Sequence, residues 1–146
     1  MTRLTLAIFF ALVFSVFAQA QLIISDPPFP TKNDEVVITF NSSLGSGGLS
    51  GFVGDMYAHT GLITSNSSSG TDWKYVKAGW TENRPDCKMI NIGDNLWELT
   101  ISPSIQEFYD VPDNETILKL AFVFRNEDGS QTGKTDDEGD IFYDVY

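Results

Sequence analysis

A chain of 146 residues with a formal net charge of −11 and a pI of about 4.2 repels polyanions, which excludes nucleic acid and anionic lipid as expected partners and suits an exported, soluble domain with a neutral ligand. Its single cysteine, Cys87, excludes an internal disulfide. As a nucleophile Cys87 has only His59 as a potential partner, and the surrounding RPDCKMI resembles no nucleophile-bearing turn, so it reads as a small buried hydrophobe.

Residues 1–20 read as a signal peptide. Arg3 supplies the charge, LTLAIFFALVFSVF the apolar run, and Ala18-Gln19-Ala20 the small-x-small cleavage site. The run is too short and wrongly flanked for a membrane span. No cysteine sits at the cleavage site to carry a lipid. The expected mature chain starts at Gln21 and is secreted, to the extracellular space or the periplasm. Residues 21–146 are long enough for one domain with a core of its own.

Pro27, Pro28 and Pro30 mark an extended lead-in to a β-branched strand over residues 35–40. SSLGSGG is a loop. Residues 54–60 read as a strand with Met56 and Ala58 on one face and Tyr57 and His59 on the other. After the polar loop SNSSSGTD, residues 73–80 read as a further strand, and TENRPD as a turn. Residues 87–92 and 96–101 read as strands joined through GDN, a hairpin signal. Ser104 is placed to cap a short helical turn over residues 104–109, with Glu107 completing the capping box. ILKLAFVFR, residues 117–125, is the most strongly patterned strand. The chain turns at NEDGS, and residues 141–146 close it as a last strand. Short strands at regular spacing, without a competing helical period, predict an all-β, antiparallel immunoglobulin-like β-sandwich of seven or eight strands.

Alternation sorts the aromatic side chains. On the predicted strand over residues 73–80, Trp73, Tyr75 and Lys77 share one face, while Val76, Ala78 and Trp80 share the other. Val76 and Ala78 suit a core, so Trp73, Tyr75 and Lys77 are expected outside, alongside Tyr57 and His59. Trp80 has core parity yet remains a candidate contact. Trp97 alternates with Leu99 and Ile101 and is expected in the core.

The stretch MYAHTG, the pair Trp73 and Trp80, and AFVFRNEDGSQTGK followed by DIF resemble the N-terminal sandwich domains of secreted bacterial alpha-amylase-type glycoside hydrolases. More distantly, they resemble the starch-binding modules of carbohydrate-binding module families twenty-five and twenty-six. The resemblance covers nearly all of residues 21–146, though the loop from Leu62 to Asp72 is longer than in that pattern. It implies a non-catalytic module for an α-glucan, and leaves open a glycoside hydrolase domain in a longer parent chain. The ligand-binding set expected on these grounds is Tyr57, His59, Trp73, Tyr75, Lys77 and Trp80. Sugar chemistry agrees independently: a pyranose offers an apolar C–H face to flat rings and a rim of hydroxyls to polar side chains.

No catalytic residue, metal ligand or cofactor is expected. A glycosidase needs two carboxylates across a scissile bond, and no pair is marked; nor is there GxSxG, HExxH or a phosphate-cradling glycine loop. TDDEGD groups Asp136, Asp137, Glu138 and Asp140, but without EF-hand spacing, and it reads as a solvated turn. The rival expectations are a structural sandwich that supports or spaces a hydrolase domain and a calcium-dependent adhesion-type domain. Exposure discriminates the first from sugar binding: Trp73 and Tyr57 facing solvent favour a binding module, and both buried favour a scaffold.

Overall fold

The structure is a computed structural model and describes residues 19–146. The expected signal peptide therefore lies, except for its last two residues, outside the described residues. Among the described residues eight strands form: β1 (Ile23–Asp26), β2 (Val36–Asn41), β3 (Met56–Thr64), β4 (Ile90–Gly93), β5 (Leu96–Ile101), β6 (Ile117–Asn126), β7 (Thr132–Gly133) and β8 (Ile141–Asp144). A short helix, α1 (Ile105–Phe108), precedes β6. One four-stranded sheet runs β1-β2-β5-β4. In the other, β3 and β6 pair along their length, and β7 and β8 pair with β6 at different points. All pairings are antiparallel. The chain is the all-β, immunoglobulin-like sandwich that its sequence predicts.

Alternation builds the core. Val36, Ile38 and Phe40 of β2 and Trp97, Leu99 and Ile101 of β5 face Met56, Ala58 and Leu62 of β3 and Leu120, Phe122 and Phe124 of β6. Phe40 stacks on Phe124 across the sandwich, with ring centroids 4.1 Å apart. Each such large apolar side chain contributes roughly 1.5–3 kcal/mol by leaving water. Trp97 is buried, as its parity predicts.

At α1 the Ser104 hydroxyl accepts a hydrogen bond from the Glu107 N–H at 3.1 Å, as an N-cap should. Ile105, Phe108 and Tyr109 then close one end of the core. The Tyr109 hydroxyl meets the Thr60 hydroxyl at 2.7 Å, and Thr60 donates to the Ala121 carbonyl.

Residues 73–80 are not the strand that β-propensity suggests. Lys74 exchanges both backbone hydrogen bonds with Leu62, at 2.7 and 2.8 Å, and the Lys77 N–H next reaches the Thr60 carbonyl at 3.0 Å. Three steps along this segment therefore span two steps of β3. Tyr75 takes up the extra residue with φ of 52°, in the left-handed region. This bulge inverts the alternation beyond it, so the faces assigned by parity to Tyr75, Lys77 and Trp80 are wrong.

β1, which the sequence does not predict, comes before the proline lead-in. Its Ile23 and Ser25 are buried while Ile24 and Asp26 face out, and Pro27 ends it. The expected strand over residues 87–92 shortens to β4, because Pro85 starts a 3-10 turn over Pro85–Cys87.

Candidate functional site

The outer face of the β3–β6 sheet carries the residues that alternate with the core set. Tyr57 lies opposite Arg125, and His59 opposite Val123. The bulged segment folds onto this face at Gly61, where close approach demands glycine. A Cβ there would lie 3.0 Å from the Lys74 carbonyl oxygen, 3.1 Å from Val76 Cγ2 and 3.3 Å from Trp73 Cε3. The preceding polar loop closes on itself, because Asp72 accepts from the Ser68 N–H at 2.8 Å and from its hydroxyl at 3.1 Å and pairs with Lys74 at 3.0 Å. The Ser68 N–H, with Lys74 and the Ser68 hydroxyl, holds the Asp72 carboxyl below the usual carboxylate range. Trp73 is delivered directly after this lock.

The result is an open cleft of about 370 Å³. His59 stands at its centre. It stacks on Trp73 with centroids 5.6 Å apart and planes at 26°, and meets Trp80 edge-on at 5.1 Å and 76°. The two indoles are thus steeply inclined to one another rather than laid out as a flat row. Val76 and Val123 complete the apolar wall, and Thr71, Lys134 and Asp140 give the polar rim. The Trp73 indole N–H donates to Asp140 Oδ2 at 3.1 Å, which fixes that ring. Trp80 is 40% exposed. A larger hollow, about 620 Å³, lies around Asn33, Gln106, Glu107, Asp110 and Asp113. It has no aromatic wall. A third hollow, about 520 Å³, is walled by Phe29, Phe142, Tyr143 and Tyr146. The cleft at His59 is the candidate site because, among the described residues, it alone gathers several of the expected contacts with polar groups of both signs at its rim.

Three of the six expected contacts meet here: His59, Trp73 and Trp80. Trp80 reaches the surface despite its core parity, because the bulge precedes it. Tyr57 does not join them; it is buried, with the Arg125 guanidinium 5.3 Å from its ring centroid. Tyr75 turns away and donates its hydroxyl to Glu115. Lys77 donates to the Phe108 carbonyl at 2.6 Å and pairs with Asp86 at 3.5 Å. The aromatic platform as read from alternation is therefore replaced by a smaller cleft. Alternation missed Thr71, Val76, Val123, Lys134 and Asp140. Lys134 precedes the TDDEGD turn and Asp140 ends it, a turn that reads in sequence only as a solvated acidic cluster.

Burial, then the Arg125 charge, push the His59 imidazole below the usual histidine range, while Asp140 pulls the other way. Its Nδ1 is buried without a hydrogen-bond partner among the described residues. The unfolded chain thus takes up a proton at about pH 6.5, before the folded one does. This contribution to stability is whole above about pH 6.5 and is lost as pH falls through the lower folded value. Urea denaturation at stepped pH should show stability declining as pH falls below about 6.5, and His59→Gln should flatten the onset of that decline. The carboxyls held low, Asp34, Asp72, Asp86, Glu115, Asp128 and Asp137, lose their contribution only as pH falls toward their ordinary values of 3.8 and 4.5, so the onset of the decline below about pH 6.5 belongs to His59. An equal slope in wild type and variant would refute it.

Cys87 is buried, and burial pushes its thiol up to about 11. Such a thiol is a poor nucleophile at neutral pH. Among the described residues no three His, Cys, Asp or Glu side chains group as a metal site, and no helix is long and apolar enough to cross a membrane.

Residues 23–132 match the family described as Domain of unknown function (DUF8578), and the chain belongs to that family. No curated protein matches it.

Proposed function

We propose that residues 21–146 form a secreted, non-catalytic carbohydrate-binding module for an α-glucan such as starch or a malto-oligosaccharide. The observation that carries this reading is the pair of inclined indoles, Trp73 and Trp80, around His59 in an open cleft. Rings present apolar faces to pyranose C–H groups, and the Thr71, Lys134 and Asp140 rim offers donors and acceptors to hydroxyls. Inclined rings suit a glucan that curves, whereas a coplanar row suits a flat ribbon. The resemblance to starch-binding modules points the same way. No reaction is assigned, since Asp140 is the one carboxylate that lines the cleft among the described residues and glycoside hydrolysis takes two. A site this shallow should bind a short oligosaccharide in the range of roughly micromolar to millimolar, and gain by avidity on a polymer.

Affinity electrophoresis tests the reading in gels containing soluble starch, with cellulose, xylan and laminarin derivatives alongside. Retardation by starch is the expected result. Retardation by a β-glucan alone would keep the class and overturn the ligand. The rival scaffold reading is favoured by one observation: Tyr57, Tyr75 and Lys77 are all tied into the fold. No retardation in any gel would leave that reading standing. Export is part of the proposal, and mass spectrometry of the secreted product should find a chain beginning at Gln21. An intact Met1 would end it.

A further inference from the structure

Trp80 lies outside every strand and is 40% exposed, so its fixed orientation needs a cause outside the sheet. Arg125 and the turn that follows it supply one. Arg125 is 1% exposed, and none of the ion pairs among the described residues includes it. Its guanidinium donates instead to neutral acceptors on two separate segments. Nη2 reaches the Glu82 carbonyl at 2.9 Å and Nη1 the Asn83 side-chain oxygen at 2.8 Å, both just beyond Trp80. Nη1 also reaches the Asn126 and Glu127 carbonyls at 2.9 and 3.1 Å, at the start of the β6–β7 turn. A planar fork with several donors can join two loops in this way; a lysine ammonium cannot hold the same geometry.

The Trp80 ring packs beside this junction. Its centroid is 6.0 Å from the Arg125 guanidinium carbon. Its edge lies on Gly129, where φ is +72° and a Cβ would come within 2.4 Å of the indole Nε1 and 2.9 Å of Cε2. The turn is further fixed by Asn126, whose side chain accepts from the Gln131 N–H at 3.1 Å, and by Asp128, which accepts from the Ser130 N–H at 3.0 Å and from its hydroxyl.

We infer that Arg125 and Gly129 are positioning residues that form a rigid seat for Trp80, setting the tilt of that ring in the cleft without touching ligand. The seat pre-organises the ring, so that little ordering is left for the moment of binding. The binding consequence rests on the proposed glucan site; the seat itself does not.

The test is read on the indole N–H resonances of the three tryptophans, Trp73, Trp80 and Trp97, in 15N-labelled protein, with the Trp80 peak assigned by Trp80→Phe. Gly129→Asn keeps a residue type that tolerates positive φ but adds the Cβ. The control is Gly47→Asn, at a glycine with φ of +70° and no atom within 4 Å of its Cβ position. Gly129→Asn and Arg125→Lys should each move or broaden the Trp80 peak, and leave Trp97 in place as the sign of an intact core. Gly47→Asn should leave all three unchanged. In starch gels the two seat variants should bind at least threefold more weakly than wild type. A Trp80 peak unmoved in both seat variants would overturn the seat. A moved peak with wild-type retardation would overturn its role in binding. Absence of retardation for the wild type removes the glucan reading and leaves the resonance result to decide the seat alone.

Discussion

Replacing Trp73 and Trp80 together by alanine should weaken glucan binding by about a hundredfold. Each ring contributes about 1–2 kcal/mol, a factor of ten corresponds to about 1.4 kcal/mol, and both rings meet one ligand in one cleft. Titration calorimetry with a malto-oligosaccharide reads the loss directly. Trp73→Ala also frees Asp140 from the indole N–H, so that single change should cost some stability, whereas Trp80→Ala should cost less. Tyr75→Phe makes a strict control. It removes only the hydroxyl that bonds Glu115, away from the cleft, and should bind as wild type does. Wild-type affinity in the double variant would move the site elsewhere on the sandwich.

Arg125→Ala should destabilise the fold by about 2–4 kcal/mol, or roughly 10 °C in Tm for a domain of this size. Deleting the guanidinium removes four hydrogen bonds at once: the Glu127 carbonyl and the Asn83 side chain lose their donor, and the Glu82 and Asn126 carbonyls keep only the bonds from the Arg84 and Gly129 N–H groups. Arg125→Met, which keeps most of the volume, should lose nearly as much, because the cost lies in lost hydrogen bonds rather than in a void. Thermal denaturation followed by circular dichroism checks both. A fall of only about 2 °C in either variant would show that water replaces the lost donors without difficulty.

The sandwich was legible because its strands obey a period of two. Phe40, Trp97, Phe122 and Phe124 fall inward by that rule, and the N-cap at Ser104 follows from residue type alone. The site was only half legible for the same reason. Alternation assumes an unbroken strand, and Tyr75 with its positive φ breaks it. Nothing in DWKYVKAGW announces the bulge, since Tyr is not a residue that favours that conformation. Lys134 and Asp140 reach the cleft through pairing across long stretches of chain, which local pattern does not carry. Tyr57 lies on the expected outer face of β3, yet Arg125, its neighbour across the sheet, takes part in covering it. Outward-facing and exposed are different properties.

The bulged segment has a consequence for handling the protein. β3 pairs with β6 along one side only. Along its other side, Lys74, Lys77 and Lys88 reach it with isolated backbone contacts. A long strand left bare there would invite a strand from another molecule. The stretch that presents Trp73 and Trp80 is therefore also a guard against self-association. Shortening or grafting this loop to change what the cleft recognises would uncover a sticky edge, and precipitation would then be mistaken for a failed specificity design. Point changes at the rim, at Thr71 or Lys134, leave that guard in place.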